Sequence, residues 1–212
     1  LALAFPAQGS EFLTLDEAVS RALAVNPALV AESAELRAVQ ARGERDSLAA
    51  PYAVGAELEN FAVTGSLDGF DSAEITLRVS RRLELGGKRA ARKALGNAEV
   101  ARQEAAGAVA RAEITSVTKS RFIEVLADQD RLELAEERLD QAGQLRTVVS
   151  TWVAAARIPE SDLRAAEIAE AQAELDLEHA RHELESARLT LAAAWGQFTP
   201  DFDAVTGNLA AL

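Results

Sequence analysis

The sequence predicts a mainly α chain with one β-hairpin, its long helices folded back on each other as an antiparallel coiled coil. Three observations carry this. Polar Ser72, Glu74, Thr76, Arg78 and Ser80 alternate with apolar Ala73, Ile75, Leu77 and Val79, the rhythm of a strand with one polar and one apolar face. From Ala90 the pattern becomes helical. It runs for about seventy residues, on the order of 100 Å of helix. Within it Val125, Leu132 and Leu139 recur at heptad spacing, with Ala135, Ala142 and Val149 as a companion series, which is a coiled-coil seam.

Composition narrows the function. Only 5% of the residues are aromatic, and alanine and leucine carry the hydrophobic fraction, which suits closely packed helices more than a conventional core. Cysteine is absent, which excludes disulfides and thiolate metal sites and leaves the redox compartment undecided. The formal charge of −12 argues against nucleic acid as a partner. It suits either a cation-attracting lumen or acid that keeps Ala-rich helices soluble. Residues 1–12, beginning Leu1-Ala2-Leu3-Ala4, read as the remnant of a signal peptide or as a tag. No apolar run approaches the roughly 20 residues of a membrane-spanning helix, so any crossing must use strands.

Residues 13–50 read as two helices. Thr14 with Glu17 three positions on is a capping box opening a short helix to about Val25. Asn26-Pro27 is a favoured N-cap and first helical residue, so a second helix starts there and runs to about Ala49, before Pro51. Residues 51–85 read as the hairpin. Tyr52, Val54, Ala56 and Leu58 face one way and Gly55, Glu57 and Glu59 the other, with a bulge or strand end after Asn60 and a turn over Thr64–Gly69. Strands of about ten residues suit a tilted bilayer-spanning pair, and a hairpin packed on a soluble core shows the same alternation. The apolar stripes of the helices are expected to pack on each other, with no spare apolar surface to receive it.

Residues 86–157 form the long helix, and Pro159 ends it by biasing Ile158 out of the α region. Residues 158–196 are the return helix, with Ser161 or Asp162 as its cap and Gly196 as its C-cap. Ile168, Leu175 and Leu189 lie on one heptad track and Leu177, Leu184 and Leu191 on another. Residues 197–212 read as an irregular tail. The Pro27 helix and the return helix together match the long helix in length, so two placed end to end would flank it.

These elements resemble those of the TolC-type outer membrane efflux proteins, in their heavy-metal (CzcC-like) branch. The likeness rests on Leu13-Thr14-Leu15-Asp16-Glu17-Ala18, Ala22 to Leu29, the Ile158–Asp162 turn, Leu191 to Gly196 and above all Val79-Ser80-Arg81-Arg82-Leu83-Glu84-Leu85-Gly86-Gly87-Lys88-Arg89. It implies two strands of a transmembrane β-barrel continued by a helical α-barrel across the periplasm. Residues 13–50 would be equatorial and first tunnel helices, 86–157 the long tunnel helix, and 197–212 a tail towards a second repeat. Each family chain carries two tandem repeats and this sequence has one. It is expected to be the N-terminal half of a trimeric channel's subunit, or a single-repeat form needing six copies. The family commonly has Pro near Arg82, and its absence leaves the strand–helix hinge to Gly86 and Gly87. Many relatives carry an N-terminal Cys for lipid attachment, and without Cys that anchor is not expected.

The resemblance implies a channel subunit of a tripartite efflux pump, a passive conduit for metal cations. Its partners would be outer membrane lipid, its own copies, a periplasmic adaptor and an inner-membrane transporter. Arg157, Pro159, Ser161 and Asp162 would form the periplasmic tip that meets the adaptor and opens the pore. Glu57, Glu59, Glu74 and Arg78 would line the barrel lumen. His179 and His182 share a helix face among Glu178, Glu183 and Glu185, a weak candidate for a metal pair against the reading of His182 as a structural residue on a packing seam. No nucleotide loop, cofactor site or catalytic constellation is apparent, so no enzyme is expected. The rival reading is a periplasmic adaptor with an α-helical hairpin, which should carry lipoyl-like half-motifs and a separate β-barrel. A second rival is a soluble scaffold.

Overall fold

A computed structural model describes residues 12–59 and 74–208. The leader or tag reading for residues 1–11, the bulge after Asn60, the Thr64–Gly69 turn and the ends of both strands at Asn60, Ser72 and Ala73 lie outside those residues. The elements are β1 (Phe12–Thr14), α1 (Leu15–Val25), α2 (Pro27–Ser47), β2 (Tyr52–Glu59), β3 (Glu74–Arg81), α3 (Lys88–Ala154), α4 (Glu160–Ala192), a 3-10 turn (Ala193–Trp195) and β4 (Ala204–Thr206). No described helix is long and apolar enough to cross a membrane. They fall into two compact units, one of Leu1–Glu32 with Gly107–Leu212 and the other of Ser33–Ala106.

In the first unit the larger of two hydrophobic clusters sits where α1, α3, α4 and the two short strands meet. Fully buried Phe122 and Val125 of α3 meet Leu13 of β1, Ala18 and Ala22 of α1, Leu191 of α4, and Trp195, Phe202 and Val205 of the following turn and tail. Farther along, Ala135 packs with Leu177 and Ala180, with Leu132 and Leu139 against them. Arg146 pairs with Glu170, and the Arg121 guanidinium donates to the Thr190 carbonyl at 3.0 Å. Later residues of α4 thus meet earlier residues of α3, the antiparallel return that the heptads predict.

The α4 tracks part company. Leu177, Leu184 and Leu191 are buried, whereas Ile168, Leu175 and Leu189 are 60%, 71% and 40% exposed. A helix meeting one neighbour buries one stripe, so the second stays open. The expectation that every helical stripe is packed within the chain, and that His182 sits in a packed seam, is corrected.

Local chemistry sets the element ends. The Thr14 backbone N–H donates to Glu17 Oε2 at 3.0 Å and the Glu17 N–H donates to Thr14 Oγ1 at 3.3 Å, completing the predicted box. The backbone and side-chain hydrogen bonds of Thr14, with Arg21 nearby, hold the Glu17 carboxyl below its usual range. A depressed carboxylate stabilises the fold above its unfolded pKa, and that contribution is lost as pH falls through the folded value. Thermal midpoints of wild type and Glu17→Gln should therefore differ most near neutral pH and converge in acid.

At the α1–α2 joint Asn26 Oδ1 accepts from the Ala28 N–H at 2.8 Å, while its amide donates to the Ala194 carbonyl at 2.7 Å. One residue caps α2 and ties its start to the end of the return helix. Gly196 has φ +79°, and a Cβ there would lie 3.3 Å from Pro27 Cγ, so both conformation and space require glycine.

The tail corrects the sequence reading. It is not irregular throughout, because Ala204–Thr206 pairs in parallel with Phe12–Thr14. Gln129 holds the new strand, its amide donating to the Val205 carbonyl at 3.1 Å while its Oε1 accepts from the Val205 N–H at 2.8 Å. Arg21 pairs with Asp201 at 3.1 Å and lies 6.0 Å from the Trp195 ring. Segments of three residues are too short to show a period, and their partners are distant in sequence.

In the second unit α2 and α3 cross where a Cβ on Gly96 would stand 3.1 Å from the Gly43 Cα. Arg89 donates to the Ser47 carbonyl and Arg92 to the Asp46 carbonyl, each at 2.7 Å, satisfying the open carbonyls at the end of α2. Helix α3 begins at Lys88, two residues before the pattern suggests, and α2 ends at Ser47.

Candidate functional site

The hairpin register sorts its side chains by face. Tyr52, Val54, Ala56 and Leu58 pair with Arg81, Val79, Leu77 and Ile75, while Ala53, Gly55, Glu57 and Glu59 pair with Ser80, Arg78, Thr76 and Glu74. Directly paired residues share a face. All four predicted lumen residues, Glu57, Glu59, Glu74 and Arg78, therefore fall on one side, with Arg78 3.8 Å from Glu57. The other side is apolar for its whole length up to Tyr52 and Arg81, and it is bare: Val54, Leu77 and Val79 are 76%, 75% and 68% exposed. At its edge the Arg81 guanidinium donates to the Ala50 carbonyl and the Tyr52 hydroxyl and lies 4.8 Å from the tyrosine ring. An aromatic and a cation ending an apolar strand face are the residues expected at a membrane–water boundary.

After β3 the chain turns at Gly86 and Gly87, with φ +75° and +73°. No atom lies within 4 Å of a Cβ built at either, so conformation alone calls for glycine. The adjoining Glu84 pairs with Arg92 at 2.6 Å. Glu84, Arg89 and Arg92 were not singled out by sequence reasoning. Glu84 and Arg89 lie in the most specific stretch of the chain, which was the available signal, while Arg92 lies three residues past it, and the packing of α2 on α3 explains all three.

The α3–α4 turn closes as a Schellman motif, the Arg157 N–H donating to the Trp152 carbonyl at 2.9 Å and the Ala156 N–H to that of Val153 at 2.8 Å. Ala156 takes φ +50°, the left-handed position usually given to glycine. Ala156→Gly is expected to stabilise the chain by about 0.5–1 kcal/mol, measured by denaturant unfolding. Pro159 occupies the N-cap of α4, so Ser161 and Asp162 lie inside the first turn and neither caps the helix as expected. The proline ring fixes an extended cap that lacks an N–H, and the helix begins at the next residue. Arg157, Pro159, Ser161 and Asp162 are all exposed. Acidic Glu160 and Asp162 complement the helix dipole, and Arg164 joins Glu160 and Glu167 at 3.2 and 3.0 Å.

His179 Nε2 lies 3.3 Å from Glu183, and both histidines are exposed. Among the described residues no three His, Cys, Asp or Glu side chains form a group able to hold a metal ion.

No protein-family model matches the chain. The cobalt-zinc-cadmium resistance protein CzcC of Cupriavidus metallidurans is 34% identical over 98% of this chain and 48% of its own length. Among solved structures, CusC, a protein described by its transmembrane channel formation, superposes with a TM-score of 0.77 at 18% identity, covering 96% of this chain and 48% of that one. The outer membrane protein VceC of Vibrio cholerae gives 0.71 at 20% identity, over 88% of this chain and 47% of that one. The Campylobacter jejuni CmeC outer membrane channel gives 0.71 at 16%, over 86% and 41%. The chain spans about half the length of the relatives it matches. With identity to CzcC along almost its entire length and the fold shared with these channels, the chain is similar to one half of a TolC-type outer membrane efflux protein.

Proposed function

We propose that the chain is a wall segment of an outer membrane efflux conduit that reaches into the periplasm and carries out no reaction. The observation that supports this most is the hairpin register, with one bare apolar face and all four charged lumen candidates on the other. In this reading residues 51–85 are barrel strands, 13–50 are equatorial and first tunnel helices, 86–157 the long tunnel helix and 158–196 its return. Three two-repeat chains or six single-repeat copies close the tube, and the open Ile168–Leu175–Leu189 stripe is where a neighbouring copy packs. Glu57, Glu59 and Glu74 favour cations in the lumen. The turn at Arg157, Pro159, Ser161 and Asp162 meets a periplasmic adaptor coupled to an inner-membrane pump, and Gly86 and Gly87 form the hinge. Metal cations are the cargo, by likeness to a protein named for cobalt, zinc and cadmium resistance.

Because the chain has no cysteine, single cysteines placed along β3 are unique labels. In bilayers, a water-soluble maleimide should label positions 76, 78 and 80 and spare 75, 77 and 79. Equal labelling of both sets would rule out a lipid-facing hairpin. Planar-bilayer currents should show a cation preference that Glu57→Gln with Glu59→Gln and Glu74→Gln reduces.

A further inference from the structure

The stretch from Arg81 to Lys93 holds Arg81, Arg82, Lys88, Arg89, Arg92 and Lys93 against the single acid Glu84, a net +5 in a chain of formal charge −12. Half of these cations have internal work. Arg81 serves Ala50 and Tyr52, Arg89 the end of α2, and Arg92 both that end and Glu84. Arg82, Lys88 and Lys93 are exposed and make no hydrogen bond or ion pair among the described residues. The first turn of α3 contains no acid. Lys88 and Arg89 thus stand at the positive end of a helix dipole, a placement that costs stability unless anions compensate it, and the one acid that Lys88 and Arg82 interact with, Glu84, is already paired with Arg92.

The surroundings say which anion. Leu83 and Leu85 continue the odd-numbered apolar series of β3 beyond the strand and are 77% and 80% exposed. Bare leucines set between Arg82 on one side and Lys88 and Lys93 on the other, directly past the aromatic and arginine edge of an apolar strand face, match the level where acyl chains give way to headgroups. A soluble anion would have no use for the leucines. We infer that Arg82, Lys88 and Lys93 form a basic collar that binds the phosphates of anionic phospholipids while Leu83 and Leu85 rest on the acyl chains. The collar also gives an acidic chain a place to approach an anionic surface. This inference rests on the membrane-hairpin reading.

The full chain carrying Leu77→Cys with an environment-sensitive dye is added to vesicles of phosphatidylcholine alone or with one-third phosphatidylglycerol. Dye emission reports hairpin insertion and flotation reports affinity. Affinity should be about tenfold higher for the anionic vesicles at low salt. High salt should remove that preference, and so should the combined variant R82Q/K88Q/K93Q, with the dye still inserted. Insertion without a preference, or a preference that survives the triple variant, overturns the collar and leaves the hairpin reading standing. A dye that stays in water with both compositions overturns the hairpin reading and the collar with it.

Discussion

Leu77→Arg is expected to cut partitioning of the chain into neutral vesicles by between about thirtyfold and a thousandfold, while Thr76→Arg leaves it near wild type. Leu77 lies opposite Ala56 in the middle of the apolar face, two residues from Ile75 and Val79. A guanidinium on the lipid side of a barrel near mid-bilayer costs about 2–4 kcal/mol. At about 1.4 kcal/mol per tenfold this gives the range stated. Thr76 pairs with Glu57 on the opposite face, where a cation would gain an acidic neighbour. The comparison isolates side-chain direction, since the two variants differ by one position in the same strand. Flotation measures both, and equal losses would mean that the hairpin does not present one face to lipid.

That face was legible in the sequence because a strand's period is two and β3 alternates without a break. The capping box at Thr14, the Asn26-Pro27 joint, the Gly196 cap and the antiparallel heptads were legible for the same reason, each depending on neighbours within one or two turns. The rest depended on distance. Gln129 mimics a strand edge for Val205, and Arg89 and Arg92 cap a helix more than forty residues earlier in the chain. No local pattern marks such pairs. The α4 tracks failed differently: both are apolar at heptad spacing, and only the fold selects the Leu177 track for burial. For the candidate site, the shared face of Glu57, Glu59, Glu74 and Arg78 followed from alternation alone. At the α3–α4 turn, Pro159 displaced Ser161 and Asp162 from the cap because a residue without an N–H ends one helix and sets the start of the next. Those two side chains are thereby left exposed in the first turn, free of the capping role they were expected to fill.

The second large effect is Phe122→Ala, expected to cost about 3–5 kcal/mol in denaturant unfolding. Domains are stable by about 5–15 kcal/mol, so this loss is a substantial part of the total. Phe122 is the largest fully buried side chain, and its cluster joins residues of α1, α3 and α4 with the two short strands and the turn at Trp195. The other large rings of the cluster, Trp195 and Phe202, are already packed against each other. The cavity would open beneath Leu13 and Val205, loosening the β1–β4 pair that lies far apart in sequence. Leu175→Ala supplies the contrast: Leu175 is equally apolar and helical but 71% exposed, so its removal should change stability by no more than about 0.5 kcal/mol. Trp195 lies in the same cluster, and its fluorescence reports the loss directly. Similar effects for the two variants would mean that burial in the Phe122 cluster does not set the stability of this unit.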